Sequence, residues 1–283
     1  MKSKFLLPVC AAAVLALGSC KKDNSTTDDS AEKNATYELS ADQGIADNIV
    51  QDANEVLNET AVSNNFMGSS FIGGTAGTTG ILSCATVTVT PAMGFPKTVV
   101  IDFGTTGCTS PNGVTRKGKI NVVVSDSLRL PGSTATMTFD NYFVNNYKKE
   151  GTITWTNTST PGVKSWHRVC QNGKITAPSG NYFLHSGTQD IVQTMGASTP
   201  LNLLDDEFSI TGGHTVTNAA GLSRTSTILT ALKKKTSCNW IDQGSTQVQG
   251  PNHTAIIDFG NGTCDNQATI SIDGGPVHTF TMN

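Results

Sequence analysis

From Ile81 onward, apolar and polar residues alternate along the chain with a period of two. The segments with this alternation, or with runs of β-branched residues, are ATVTVT (85–90), TVVIDF (98–103), INVVV (120–124), TMTFDNYFV (136–144), GTITWTN (151–157) and HTAIIDF (253–259). Alternate side chains of a strand point to opposite faces, so these segments predict half-buried strands. Turn signals such as PNG (111–113) and DGG (273–275) fall between them. The pattern predicts a mainly β fold, an elongated antiparallel meander or sandwich.

A helical period precedes the strands. Apolar residues recur there at three- and four-residue spacing: Ile45, Ile49, Ala53, Val56 and Leu57. This spacing predicts an amphipathic helix over residues 40–63 with one apolar face. Ser40 stands where a side-chain oxygen can cap its first turn.

The first residues have the organisation of an export signal. Two lysines precede an apolar run that ends at Leu17 and is too short to span a bilayer. The sequence LGSC (17–20) follows, and small residues directly before a cysteine resemble the lipobox of bacterial lipoproteins. The resemblance implies that residues 1–19 are a cleaved signal peptide and that Cys20 is acylated, so that its lipid attaches the protein to a membrane. An ordinary secretory signal, with Cys20 incidental, is the alternative.

Residues 20–39 are polar and charged and show no apolar periodicity. Such a composition predicts a disordered tether. A charged patch directly behind the cysteine resembles the surface-export signals of Bacteroidetes-type lipoproteins. The resemblance implies an outer-membrane protein on the cell surface, with the periplasmic face as the alternative.

The net charge of the chain is −3, and 14% of its residues are charged. A mildly acidic chain has no electrostatic footprint for nucleic acid, so we expect no nucleic-acid partner. No sequence pattern indicates a cofactor.

One octet occurs twice, as IDFGTTGC (101–108) and as IDFGNGTC (257–264). Each copy follows a Ser-Cys pair and two predicted strands. We therefore predict two related β halves, 81–170 and 171–283, each with a disulfide across its hairpin. The predicted pairs are Cys84 with Cys108 and Cys238 with Cys264, since export favours oxidation of thiols.

Each octet carries an aspartate and, two residues later, a glycine: Asp102 and Gly104, then Asp258 and Gly260. A glycine suits a turn with positive φ, and an aspartate can accept hydrogen bonds from the backbone amides of that turn. We therefore interpret these residues as structural and expect no metal site. The alternative is a small calcium loop with oxygen ligands from Asp258, Asn261 and Asp265.

Residues typical of catalysis are few. Cys170 is the leftover thiol, and His167, three residues away, would lie on the opposite face of a strand. The acidic cluster Asp205, Asp206 and Glu207 offers a glycosidase pair in principle, but adjacent acids before a strand are typical of a solvated turn. We predict a protein that is not an enzyme.

Two further features bear on binding and modification. The tryptophans, Trp155, Trp166 and Trp240, either form a sugar-stacking face or pack in the core. The triplets DSA and DSL, which contain Ser30 and Ser127, resemble the O-glycosylation acceptor of Bacteroidetes-type exported proteins.

As a whole, the chain resembles the uncharacterised all-β lipoproteins of Bacteroidetes-type bacteria, a resemblance that implies no particular activity. We predict a lipid-anchored protein with a binding or structural role, whose partner is a glycan or a protein. The alternative is a hydrolase of envelope or extracellular polysaccharide. Two facing carboxylates would favour the hydrolase, and aromatic side chains without such a pair would favour binding.

Overall fold

The computed structural model describes residues 25–68 and 77–282. One long helix, α1 (Ser25–Ser63), precedes a single antiparallel sheet, which confirms the predicted mainly β fold. The strands are β1 (Thr86–Thr90), β2 (Lys97–Asp102), β3 (Cys108–Thr109), β4 (Thr115–Val124), β5 (Thr134–Val144), β6 (Tyr147–Asn157), β7 (Ser165–Thr176), β8 (Tyr182–Met195), β9 (Glu207–Asn218), β10 (Ser223–Lys235), β11 (Ile241–Gln249), β12 (Thr254–Asn261), β13 (Gln267–Ile272) and β14 (Val277–Thr281).

Strands that follow one another in the chain are also neighbours in the sheet. The order runs from β1 through β2 and β4 to β14, and the short β3 pairs with β4 alone. β1 and β14 form the two edges, so the topology is an antiparallel meander. The predicted boundary between two halves, at residues 170 and 171, falls inside β7, and both halves belong to one continuous sheet.

Helix α1 lies against the inward face of this sheet and is buried on more than its apolar side. Ile49, Ala53 and Val56 are fully buried, as an amphipathic helix requires. The polar residues Asp47 and Asp52 are also buried, with relative exposures of 2% and 6%. The core therefore contains charged groups that must find partners on the strands.

The start of the helix corrects the predicted tether. α1 begins at Ser25, so residues 25–39 are helical. Two of their polar side chains bind residues of the sheet or its loops: the Glu32 carboxylate accepts a hydrogen bond from the Asn252 backbone N–H at 2.8 Å, and Arg224 Nε donates to Thr36 Oγ1 at 2.8 Å. The predicted signal peptide and Cys20 lie outside the described residues. Within the described ranges, no helix is long and apolar enough to cross a membrane.

Glycines let the strands bend around the helix. The register between neighbouring strands shifts at Gly118, Gly151 and Gly244. At Gly151 the backbone has a φ of 103°, and a Cβ would lie 2.5 Å from the carbonyl oxygen of Asn172. A residue without a Cβ is therefore required where two strands approach this closely, which is a common way for a sheet to gain curvature.

The repeated octets belong to two disulfide-clamped hairpins. Cys84 precedes β1 and is bonded to Cys108, which lies beyond β2. Cys238 precedes β11 and is bonded to Cys264, which lies beyond β12. Both predicted disulfides are confirmed. The doubled sequence marks two copies of one clamp.

The aspartates of the octets make the predicted turns. Asp102 Oδ1 accepts a hydrogen bond from the Gly104 N–H, and Asp258 Oδ1 accepts one from the Gly260 N–H, each at 2.8 Å. The two glycines have φ values of 76° and 94°. The predicted turn hydrogen bonds of the two aspartates and the predicted positive φ of the two glycines are confirmed.

Candidate functional site

A small cavity lies where the C-terminal half of α1 faces one end of β6 to β9. Its volume is about 30 Å³, which is room for one or two water molecules. Asn54 and Asn58 line it from the helix, and Arg129 lines it from the connection between β4 and β5. Its remaining polar and aromatic walls come from the strands.

Two of the three tryptophans form its aromatic wall. Trp155 on β6 is 5% exposed, and Trp166 on β7 is half-buried. The Trp166 ring meets Phe208 edge to face, with 6.3 Å between ring centroids. The Trp166 indole N–H donates to the Leu128 carbonyl at 3.3 Å, whereas that of Trp155 has no hydrogen-bond partner in the described structure. Trp240 lies outside this wall.

Three hydrogen-bonded polar side chains, those of Arg129, Gln193 and Asp206, form another part of the cavity lining. Arg129 Nη2 donates to Gln193 Oε1 at 3.2 Å, and Gln193 Nε2 donates to Asp206 Oδ1 at 2.7 Å. Arg129 Nε is buried without a partner among the described residues. Two N–H donors, on Trp155 and Arg129, are therefore available to an oxygen acceptor on a ligand.

The three residues of the acidic cluster, Asp205, Asp206 and Glu207, differ in their exposure to solvent. Asp205 is exposed and accepts a hydrogen bond from Thr199 Oγ1 at 2.8 Å, while Glu207 pairs with Lys233 at 3.1 Å. Asp206 alone turns inward, to 4% exposure. The expectation of a solvated turn is therefore corrected for Asp206, because the chain leaves a 3₁₀ turn and enters β9 at this point.

Burial changes the chemistry of the Asp206 carboxyl. Desolvation raises its pKa to about 7, although the nearby Arg129 acts in the opposite direction. At neutral pH the group is thus available in both its protonated and its ionised form, and it can donate to a ligand oxygen or accept from a hydroxyl. Of the described residues that line the cavity, it is also the only one with a carboxyl group.

A second polar group lies deeper, between the sheet and α1. Lys149 Nζ donates to His185 Nε2 at 2.5 Å, which leaves the ring proton on Nδ1, 3.5 Å from Cys170 Sγ. Cys170 is 1% exposed, and burial raises the pKa of its thiol. A protonated, enclosed thiol is a poor nucleophile. His167 points elsewhere and pairs with Asp190 at 2.7 Å.

Candidate metal ligands of the second octet are engaged with their own loop. Asp258 Oδ1 accepts a hydrogen bond from the Gly260 N–H. Asp265 Oδ1 accepts one from the Gln267 N–H at 2.9 Å, and Asn261 Oδ1 accepts one from the Thr263 hydroxyl at 3.1 Å. Across residues 25–68 and 77–282, no group of three His, Cys, Asp or Glu side chains is placed to hold a metal ion.

The two candidate glycosylation serines differ in access. Ser30 is exposed on α1. Ser127 is half-buried, and its backbone N–H donates to the carboxylate of Asp126 at 2.7 Å. Of the two, only Ser30 presents an open surface to a modifying enzyme.

Sequence patterns identified Trp155, Trp166 and Asp206 as candidates but missed Arg129, Gln193 and His185. Arg129 lies in the connection between β4 and β5, whereas His185 and Gln193 lie on β8, and no local motif links them. Comparison of the chain with protein-family models, curated proteins and solved structures gives no match.

Proposed function

We propose that this chain is a lipid-anchored binding protein of the cell surface, and that its ligand is a glycan. The observation that carries the proposal is the cavity, which combines two tryptophans with amide, guanidinium and carboxyl groups. Aromatic rings stack on the apolar faces of sugar rings, and planar polar side chains bind their hydroxyls.

The size of the cavity limits what enters it. A volume of about 30 Å³ admits a single substituent, such as a hydroxymethyl group, and not a whole sugar ring. The ring itself would then rest at the mouth, against the half-buried Trp166 and beside Arg129. The unpartnered N–H groups of Trp155 and Arg129 match an oxygen acceptor on the inserted substituent.

The same geometry favours binding over hydrolysis. A glycosidase of the usual type needs two carboxyl groups about 5–9.5 Å apart across the scissile bond. Within the described part of the chain, the lining of this cavity contributes one carboxyl group, that of Asp206. Asp205 and Glu207, the other members of the cluster, are engaged with Thr199 and Lys233.

The anchoring part of the proposal rests on the sequence. The lipobox-like LGSC (17–20) supports lipidation of Cys20, and the charged residues behind it support export to the surface. Two disulfides in the folded chain are in keeping with an oxidising, extracytoplasmic location.

Replacing Trp166 by Ala is expected to weaken glycan binding about tenfold, because the stacking platform at the mouth is lost. The measurement is isothermal titration of the purified chain with a panel of soluble oligosaccharides. Trp240→Ala is the matched control, since this half-buried tryptophan lies outside the cavity and its loss should leave affinity unchanged.

Two results would count against the proposal. If no oligosaccharide of the panel binds at millimolar concentration, the ligand is not a glycan. If Trp166→Ala and Trp240→Ala lower the affinity equally, the cavity is not the binding site. Release of shortened oligosaccharides by the wild type, abolished by Asp206→Asn, would support the hydrolase instead.

A further inference from the structure

Arg168 places a buried cation in the core between the sheet and α1. It lies on the inward face of β7 and is 1% exposed. None of its three guanidinium nitrogens has a hydrogen-bond partner in the described parts of the chain. The guanidinium carbon lies 4.8 Å from the centroid of the Trp155 ring. That contact stabilises the charge but leaves the N–H donors unsatisfied, and buried donors normally have partners.

The charged groups near Arg168 do not balance its positive charge. Lys149 is fully buried close by and donates to the uncharged His185. Desolvation lowers the pKa of Lys149 to about 8 and that of Arg168 to about 10, so both remain cations at neutral pH. The carboxylate that acts on Arg168 is Asp47. Cys170 Sγ lies 3.9 Å from Lys149 Nζ, but burial raises the pKa of this thiol and disfavours its charged form. Two cations therefore face one carboxylate and a thiol.

Asp47 is already occupied by other donors. Its Oδ2 accepts from Gln43 Nε2 at 3.0 Å, and its Oδ1 accepts from Gln189 Nε2 at 3.1 Å. It also lies 3.5 Å from His214 Nδ1. No hydrogen bond joins Asp47 to Arg168, so the carboxylate acts on the guanidinium only through its charge.

Two further buried donors, one beside Arg168 and one on α1, also lack partners among the described residues. The Trp155 indole N–H, on the ring that stacks against the guanidinium, is one of them. Gln51 Nε2 is another, one helical turn beyond Asp47 on the same side of α1. Two buried acceptors, Gln43 Oε1 and Gln189 Oε1, also lack partners, but the unpartnered nitrogens of Arg168, Trp155 and Gln51 outnumber them. This excess of donors, together with the excess of positive charge, fits an anion better than a cation or an apolar group.

We propose that Arg168 holds a buried monovalent anion of halide size, with the Trp155 indole N–H as a second donor. One charge is enough to balance the two cations against Asp47. A halide is monatomic and costs less to dehydrate than phosphate, which suits a fully enclosed position. Arg168 does not line the cavity described above, so the anion site does not require the glycan proposal. The two sites share Trp155, whose single indole N–H donates either to the anion or to the glycan.

The direct test is anomalous scattering from crystals of the full chain grown or soaked in bromide. A bromide peak within about 4 Å of the Arg168 guanidinium is the expected result, as hydrogen-bond and ion-pair distances require. Absence of a peak there, with ordered water bridging Arg168 to the unpartnered Oε1 of its cross-strand neighbour Gln189, would overturn the proposal.

Thermal unfolding gives an independent readout in solution. Replacing gluconate by chloride at constant ionic strength is expected to raise Tm by about 3–6 °C once chloride exceeds its Kd tenfold. The Arg168→Met variant should lose this dependence. Arg224→Met is the matched control and should retain it, because the guanidinium of buried Arg224 is already bound to Thr36, Ser223 and Glu32. Equal Tm values of the wild type in both salts would contradict the proposal even if a variant failed to fold.

Discussion

Replacing Asp52 by Leu is expected to lower the free energy of unfolding by about 3–5 kcal/mol, because it leaves a buried arginine without its counter-charge. Arg116 is fully buried and makes a two-pronged contact with Asp52, with Nε donating to Oδ2 at 3.0 Å. Its Nη1 also donates to Ser110 Oγ at 2.9 Å. Asp52 comes from α1 and Arg116 from β4, so this pair ties the helix to the sheet. Urea unfolding of the single variant measures the loss.

Two companion variants show whether the charge is the cause. Asp52→Leu combined with Arg116→Met removes both charges, and most of the lost stability should return, as it does when buried ion pairs are replaced by apolar residues of similar size. Glu150→Gln breaks the partly exposed Lys148–Glu150 pair and should cost no more than about 0.5 kcal/mol. A double variant as unstable as the single one would show that packing, and not the unpaired charge, dominates.

Removing the second clamp, by Cys238→Ala with Cys264→Ala, is expected to cost about 3.5 kcal/mol. The two cysteines are 26 residues apart, and opening a loop of this length restores conformational freedom to the unfolded chain. The first clamp spans 24 residues, so Cys84→Ala with Cys108→Ala should have nearly the same effect. Urea unfolding with and without reductant provides the measurement.

The free thiol supplies the control for this experiment. Cys170 is buried and forms no disulfide, so the Cys170→Ala variant should lose as much stability in reductant as the wild type does. A wild-type protein whose unfolding midpoint is unchanged by reductant would contradict the role assigned to both clamps.

The features that local sequence predicted are those with local causes. The period-two alternation predicted where strands occur, because successive side chains of a strand point to opposite faces of the sheet. The doubled octet predicted both disulfides and the Asp102 and Asp258 turns, because each is built within one hairpin.

The helix environment could not be predicted in the same way. Polar residues from 25 to 39 have the composition of a tether, and Asp47 and Asp52 belong to the polar side of the helical pattern. Asp52 and Thr36 are nevertheless buried, because strands more than 60 residues later supply Arg116 as the partner of Asp52 and Arg224 as the partner of Thr36. Pairing over such distances leaves no local signal.

The candidate site was predictable only in part. Trp155, Trp166 and Asp206 attracted interest as residue types, but the sequence does not indicate that they share a cavity. Arg129 reaches the cavity through the path of the loop between β4 and β5, and Gln193 reaches it through the position of β8 in the sheet. The inward turn of Asp206 depends on where a short 3₁₀ turn ends.

Protease shaving of intact cells that produce the protein tests the central claim, a lipid-anchored binding protein exposed on the cell surface. A known periplasmic lipoprotein in the same cells is the control. The account predicts that this chain is digested while the control survives. Survival of both proteins on intact cells, with digestion of both after lysis, would contradict surface exposure and place the protein inside the envelope.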